Sequence, residues 1–404
     1  MARVARLYRI TLGRRPRVIA VVGSVGKTTT MRTVSAALGL KVSRPALLNA
    51  NSHAAVGRAL LSVRPWQKRA VLEVGINSPG QMCIQAATLR PDVVVVTAIA
   101  HDHWQSFGTL EATRDEKANI VRELSRTGVA VLNADDSNVR WMASQTKARV
   151  VLVGEAPDAE VRATDIELNW PHGMRFIAHV GGEARPVNIR LVGRHMVYPA
   201  LAALAVAHIE GLPLDDATEA IETVDPTPGR MQTMATPSGA FILRDDFKST
   251  EDAGQAAFET LAAIPARRRI VVFGEISEER ARTVYRDVGR KAAAVVDRTV
   301  FVGSGTNFKL YRSGAVAGGQ APDQVSHVRH AHEAVELLSD ELGEGDVVLV
   351  RGRWQQALGR VGLALAGRDV QCRVDPCPFK RMLCDVCPFL GQPFTGLDGS
   401  VAAD

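Results

Sequence analysis

The sequence predicts an α/β protein made of two parallel-sheet units and a short cysteine-rich tail. Three observations predict it. Apolar, β-branched runs recur along the chain with helical segments between them. One of those runs passes directly into the stretch "VVGSVGKTTT". Four of the five cysteines crowd near the C-terminal end.

Taken in order, "RVIAVVG", "RAVLEVG", "DVVVVTAIA", "GVAVLNADD" and "ARVVLVG" read as five strands of a first sheet. "RRIVVFGE", "RTVFVGSG" and "GDVVLVRG" read as strands of a second. Continuously apolar strands that alternate with helices are buried on both faces, which is the pattern of a parallel sheet covered by helices. Between the two sets, "ATDIELNWPHGMRFIAHVGGEARPVNIRLVG" alternates apolar and polar residues and predicts a small antiparallel patch, followed by a helix at "HMVYPALAALAVAHIEG". "VDPTPGRMQ" is rich in Pro and Gly and is the expected hinge. The expected division is a basic N-terminal segment (1–16), a first domain (17–229), a second (230–370) and a tail (371–404).

Composition narrows the function classes. The chain has 404 residues, 46% of them hydrophobic, enough to bury more than one core. No apolar run approaches the roughly 18 residues a membrane span needs. The first 17 residues carry six arginines and no acid, yet no apolar h-region follows, so a secretory signal is not expected; a short basic helix and a transit peptide are the two readings. The net charge of +6 is spread along the chain, which suits anionic small substrates, and no RNA-binding or helix-turn-helix signature is present. Nine lysines stand against forty arginines. Where any cation would serve, this chain uses arginine, so the remaining lysines are candidates for amine-specific chemistry. Three of them, Lys27, Lys117 and Lys248, fall inside the motifs described next. Cys83 is isolated and is expected to be a small core residue. With no disulfide scaffold, the cytoplasm is the expected compartment.

In "VVGSVGKTTT", Gly23 and Gly26 let successive backbone N–H groups converge on phosphate at a helix N-terminus. Lys27 would reach the outer phosphates and Thr28 would bind Mg²⁺, with Thr29 beside it. Walker A asks for a glycine five places before Gly26, where this chain has Val21, so the loop is a shorter variant, Gly-x-x-Gly-Lys-Thr-Thr. A tight strand-to-helix turn without a ligand is the plainer alternative.

That variant and the segments after it resemble the ATP-dependent Mur ligase family, over roughly residues 17–370 and closest to the type that adds D-alanyl-D-alanine. The resemblance implies a P-loop ATPase domain followed by a smaller Rossmann-like domain, with ATP and Mg²⁺ as cofactors. "VLEVGINSPGQM" is similar to the family's glutamate motif and makes Glu73 a magnesium ligand. "VVVVTAIAHDHWQSFGTLEATRDEKANIV" is similar to the next segment; it puts His103, rather than His101, on the metal-binding histidine and Lys117 on a lysine that several members carry as a carbamate. A carbamate is a carboxylate-like anion able to bind a second Mg²⁺. The plainer reading of Lys117 is a solvated charge paired with Asp115 or Glu116.

"VAVLNADDSNV" resembles the following nucleotide segment and implicates Asn133, and "LVGRHMVYPALAALAVA" resembles the Gly-x-His-Asn helix, with His195 available to stack on a base. Met196 and Pro199 depart from the asparagines usual there. "PTPGRMQ" supplies Arg230, which in the family reaches toward the ATP phosphates. "RDDFKSTEDA" resembles the signature that opens the second domain, so that Asp246, Lys248 and Thr250 fall on its functional positions. In "VVLVRGRWQQALGRV", Arg351 stands where lysine is usual.

Muramyl-peptide ligases carry an N-terminal domain for the UDP-sugar, and here only a short segment precedes the P-loop strand. This argues against an ordinary precursor ligase, although "NANSHAAVG" resembles the asparagine loop of the D-alanyl-D-alanine-adding branch. The expected activity is an ADP-forming amide ligase that activates a carboxylate as an acyl phosphate and joins it to an amine. The alternative is a catalytically weak, nucleotide-binding subunit or amidotransferase half that works with a partner. The tail "CRVDPCPFKRMLCDVCPF" spaces its cysteines C-x4-C-x6-C-x2-C. Four thiolates at Cys372, Cys377, Cys384 and Cys387 suit tetrahedral Zn²⁺ in a structural site or at a partner surface. An iron–sulfur cluster and unligated thiols remain alternatives.

Overall fold

The computed structural model describes residues 1–41, 53–101, 104–276, 283–379 and 382–395. Two compact units divide the chain at Asp225 and Pro226.

In the first unit, eight strands form one sheet among the described residues: β1 (Arg17–Val22), β2 (Arg69–Glu73), β3 (Val93–Val96), β4 (Val129–Asn133), β5 (Arg149–Gly154), β6 (Val161–Asn169), β7 (Gly173–Val180) and β8 (Glu183–Ile189), in the order β2-β1-β3-β4-β5-β6-β7-β8. The pairs from β2 through β6 are parallel, and β6, β7 and β8 pair antiparallel. The alternating segment therefore does form antiparallel strands, as its period predicts, but they extend the main sheet rather than standing apart from it.

All four residues of β3 are buried, and β1 is buried from Val18 onward. This is why these strands read as unbroken apolar runs. The helix Val197–Ile209 has ten buried residues, five of them alanine, and packs against the helix Lys27–Ala37 that follows β1. Small side chains let the two helices approach closely. The basic N-terminal segment forms the helix Ala2–Ile10, whose Arg9 is buried and paired with Asp92 at 2.9 Å. One arginine of the segment is thus a structural anchor rather than a solvated charge. Cys83 is exposed on the helix Gln81–Leu89, not in the core as expected, because the buried face of that helix carries Met82, Gln85, Ala86 and Leu89.

In the second unit, six strands form one sheet among the described residues: β9 (Gln232–Ala235), β10 (Phe241–Asp245), β11 (Arg268–Phe273), β12 (Arg298–Val302), β13 (Val325–Val328) and β14 (Asp346–Arg351), in the order β13-β12-β11-β14-β10-β9. Only β9 runs antiparallel, at one edge. Strands β10 and β13 are short, and neither stands out as a long apolar run. The tail follows the helix Gly359–Leu365, and its described residues contain little regular structure beyond the 3₁₀ turn Cys384–Val386. It nevertheless buries Cys372, Val374, Leu383 and Leu390, more apolar surface than its composition suggests. The rings of Phe379, Phe389 and Phe394 stack on one another, with centroids 4.7 to 5.8 Å apart.

Among the described residues, no helix is long and apolar enough to cross a membrane.

Candidate active site

Three neighbouring parallel strands end at one place. Beyond β1 lies the glycine turn, β2 ends on Glu73, and β3 is followed by Thr97. Carboxyl ends of adjacent parallel strands are where open α/β sheets bind ligands. Gly23 takes φ +151, and a Cβ built there would lie 1.9 Å from Thr97 Oγ1, so only glycine fits. Gly26, at φ +80, precedes the helix Lys27–Ala37. Thr97 in turn donates its hydroxyl to Val25 O at 2.6 Å, which ties the turn to the next strand. Asn133 Nδ2 donates to Thr97 O at 3.0 Å from the end of β4.

The helix start brings two hard oxygens together: Thr28 Oγ1 donates to Glu73 Oε2 at 2.7 Å. A hydroxyl and a carboxylate of this kind fit Mg²⁺, which takes one or two protein oxygens and completes its shell with water and phosphate. Lys27 Nζ donates to Gly23 O at 2.8 Å and Ser24 O at 3.0 Å, folding back along the loop it serves. Thr29 is buried, and its carbonyl accepts from the Thr33 hydroxyl at 2.9 Å, so its side of the helix faces the interior.

Ser24 is the residue that sequence reasoning missed. Its hydroxyl donates to Ala100 O and accepts from Ala100 N, both at 2.9 Å, and it also accepts from Lys117 Nζ at 2.8 Å. Ser24 thus joins the P-loop, the segment after β3 and the helix Leu110–Arg122 that carries Lys117. The signal was available: Ser24 sits inside the shortened loop. Lys117 is buried, with 2% exposure. The neighbouring Glu116 accepts from the backbone N–H groups of Met82 at 2.8 Å and Gly80 at 3.0 Å. Lys117 therefore points into the strand ends and is not a solvated helix charge. His103, the expected metal-binding histidine, and residues 49–52 of the asparagine loop lie outside the described residues; the rings of His101 and Trp104 are tilted, with centroids 5.6 Å apart. His195 is exposed on the 3₁₀ turn Arg194–Met196, while Met196 and Pro199 are buried in the core. Tyr198 donates to Val96 O at 2.8 Å, and burial pushes its phenol well above the usual range.

In the second unit, the signature strand β10 ends in a dense charge cluster. The guanidinium of Arg230 lies 4.4 Å from the centre of the Phe247 ring. Phe247 N donates to Gly229 O at 3.1 Å, which fastens the signature to the segment carrying Arg230. Asp246 is buried and accepts from Arg244 Nε at 3.0 Å. Asp245 pairs with buried Arg351. Burial pushes the Asp245 carboxyl up to about 6, against the pull of Arg351. Arg351 Nη2 also donates to Thr250 O at 2.8 Å, and Thr250 caps the helix Glu251–Ala263. Thr250 therefore has a structural task at its predicted position. Lys248 is half-buried beside these groups.

The four tail cysteines line one cavity of about 10 Å³ together with Arg360 and Leu390. Burial pushes the Cys384 thiol up to about 12. Among the described residues, no three His, Cys, Asp or Glu side chains are drawn together as an ion site.

The Mur ligase middle domain model matches residues 21–207, and the Mur ligase, glutamate ligase domain model matches 229–354. This chain belongs to the Mur ligase family. The UDP-N-acetylmuramoyl-tripeptide--D-alanyl-D-alanine ligase of Mycobacterium bovis is 31% identical over 89% of this chain and 74% of its own length. The ligase of the same description from Bacillus subtilis is 25% identical over 87% of this chain and 76% of its own. The crystal structure of MurF from Acinetobacter baumannii shares the fold at TM-score 0.79 and 24% identity, over 91% of this chain and 80% of that one. Mycobacterium tuberculosis folylpolyglutamate synthase complexed with ADP shares it at TM-score 0.66 and 19% identity, over 91% and 94%. This Mur ligase is accordingly an ATP-dependent enzyme that forms an amide bond and releases ADP, and ATP and Mg²⁺ are its cofactors.

Proposed function

We propose that the enzyme transfers the γ-phosphoryl group of ATP to a peptide carboxylate, and that an amino acid or dipeptide amine displaces phosphate from the resulting acyl phosphate through a tetrahedral intermediate. The observation that carries this reading is the Ser24 hub, which holds a buried lysine at the phosphate turn beside the Thr28–Glu73 oxygen pair. In this reading the backbone N–H groups from Gly23 to Thr29 and Lys27 bind the nucleotide phosphates. Thr28, Glu73 and His103 hold Mg²⁺. Lys117 reacts with CO₂, losing a proton, to give a carbamate that serves as a further ligand. Asn133 and His195 lie on the nucleotide side. Arg230 and Lys248 stabilise charge that develops on the transferred phosphoryl group, and Asp246 belongs with the groups that bind the cofactor. The reaction takes place in the cytoplasm, where ATP and reduced thiols coexist.

UDP-N-acetylmuramoyl-tripeptide and D-alanyl-D-alanine, the compounds in the relatives' names, are the first probes. ADP and phosphate should form only when carboxylate and amine are both present, and hydroxylamine should trap the acyl phosphate. AMP and pyrophosphate would overturn the mechanism; turnover only with other acid–amine pairs would overturn the substrate assignment alone. We further propose that Cys372, Cys377, Cys384 and Cys387 hold one structural zinc ion. Support comes from their shared cavity and from the Cys-Pro-Phe sequence that occurs twice in the tail.

A further inference from the structure

The tail touches the ligase signature twice. Asp385, in the turn between Cys384 and Cys387, accepts from Arg244 Nη1 at 2.8 Å and from Nη2 at 3.1 Å. On its other side the same guanidinium donates to Asp246, from Nε at 3.0 Å and from Nη2 at 3.3 Å. One residue further along, Phe247 packs with Leu383 of the tail and with Trp354. The Arg244 side chain is 1% exposed, and two glycines make room for it. A Cβ on Gly359 would come within 2.6 Å of its Nη2, and one on Gly362 within 2.7 Å of its Cδ.

We propose that the tail is a clamp for the ligase signature, with Asp385 and Arg244 as positioning residues that fix Asp246. A fully enclosed guanidinium carries a large desolvation cost unless its donors are matched, and here the matching is divided between two carboxylates. Without Asp385, the Nη1 edge of Arg244 keeps Gln232 Oε1, at 3.2 Å, as its acceptor. The guanidinium would then turn toward water or toward other acceptors, and Asp246 would lose its fixed setting. Because Asp385 lies between two cysteines, whatever holds those thiols also holds Asp385. Arg368 Nη1 donates to Asp385 O at 3.3 Å, and Arg360 Nη1 donates to Cys372 O at 3.0 Å. These contacts seat the tail on the helix Gly359–Leu365 and the residues just after it. The order of dependence runs from the thiol cluster to Asp385, to Arg244, to Asp246.

The clamp rests on the reading of Asp246 as a working group of the ligase, but it can be tested without any substrate. Amide hydrogen exchange is measured on the full chain for peptides covering residues 244–250 and, as an internal reference, for strand β11. Asp385→Asn keeps the shape and removes the charge, and should speed exchange across 244–250 by about tenfold, the lower end of what losing a charge-assisted hydrogen bond brings about. Exchange in β11 should stay unchanged, and Asp385→Glu, which keeps the charge, should stay near wild type. Wild-type exchange across 244–250 in Asp385→Asn would overturn the clamp. So would equal loosening of β11, or equal loosening by Asn and Glu, since each marks a general packing role. Failure of the ligation assay with the muramyl and D-alanyl probes would leave this outcome untouched.

Discussion

Lys117 Nζ reaches from the helix Leu110–Arg122 to Ser24 Oγ, 2.8 Å away in the phosphate turn. A long side chain that is 2% exposed and placed there is poorly explained by solubility or helix propensity. Its position suits an amine that becomes an anion beside a metal and a phosphate. Lys117→Ala should fold, retain nucleotide and lose about a hundredfold or more in amide formation, the scale of removing one preorganised group that stabilises transition-state charge. Short carboxylates such as acetate should restore part of the rate by filling the vacated anion position. Full activity in Lys117→Ala or Lys117→Arg would remove the carbamate from the mechanism.

The phosphate turn makes a different prediction, because its contacts form in the ground state. Lys27→Ala should weaken ATP binding by about tenfold or more, corresponding to one charge-assisted hydrogen bond. Titration of the purified chain with ATP reads this without any acceptor. Gly23→Ala should be harsher. Its Cβ would collide with Thr97 Oγ1 at 1.9 Å, and the backbone sits at φ +151, a conformation that costs a non-glycine residue about 1–3 kcal/mol. ATP affinity equal to wild type in both variants would count against the loop as the phosphate site.

Much of this arrangement could be read from the sequence, for physical reasons. Strands β1, β3, β4, β11, β12 and β14 are covered on both faces, so their apolar runs are unbroken. Glycines at positive φ mark the phosphate turn. Strand β10 was not legible in the same way, because its apolar run is only Phe241–Leu243 before the charged pair Arg244–Asp245. The antiparallel strands were legible by their period but not by their sheet, since β6 joins β5 through two residue pairs, Val153–Val161 and Gly154–Arg162. Ser24 escaped notice because one hydroxyl in a loop carries no pattern; its role appears only when Ala100 and Lys117 converge on it. The clamp escaped for the same reason, because Arg244 and Asp385 are 141 positions apart. Cys83 was misread because an apolar helix face can run alongside a cysteine without including it.

Asp346 gives a pH prediction away from the active site. Its side chain is wholly buried at the start of β14. Burial raises its carboxyl, but hydrogen bonds from Arg268, Arg267 and the Gly343 N–H overcome that and hold it down at about 2. A folded-state value below the unfolded one means that the stabilisation is present above about pH 4 and is lost as pH falls through about 2. The difference corresponds to roughly 2 kcal/mol at neutral pH. Asp346→Asn should therefore lower stability at pH 7 by about that amount and flatten the acid limb of the unfolding curve. An acid limb of unchanged slope in denaturant titrations between pH 4 and 2 would show that Asp346 contributes no such linkage.

The zinc assignment makes the last prediction. The cysteines line a cavity with room for a single small atom. Free thiols buried this way are poor hydrogen-bonding groups, and Cys384 is pushed up to about 12 by burial, so as a thiol it would stay neutral at physiological pH. Binding a divalent ion reverses that balance, because the ion's charge offsets the desolvation of the thiolates it binds. Elemental analysis of the full chain should give about one zinc per molecule, the count expected of a single four-cysteine site. Replacement by Co²⁺ should give the charge-transfer and d–d absorption of a tetrahedral thiolate site. Cys384→Ser with Cys387→Ser should release the metal while ATP affinity, set by the phosphate turn of the other unit, stays at its wild-type value. A metal-free protein, or an iron–sulfur absorption band after anaerobic purification, would overturn the zinc site. Loss of ATP binding in the double variant would show instead that the tail and the nucleotide site do not act separately.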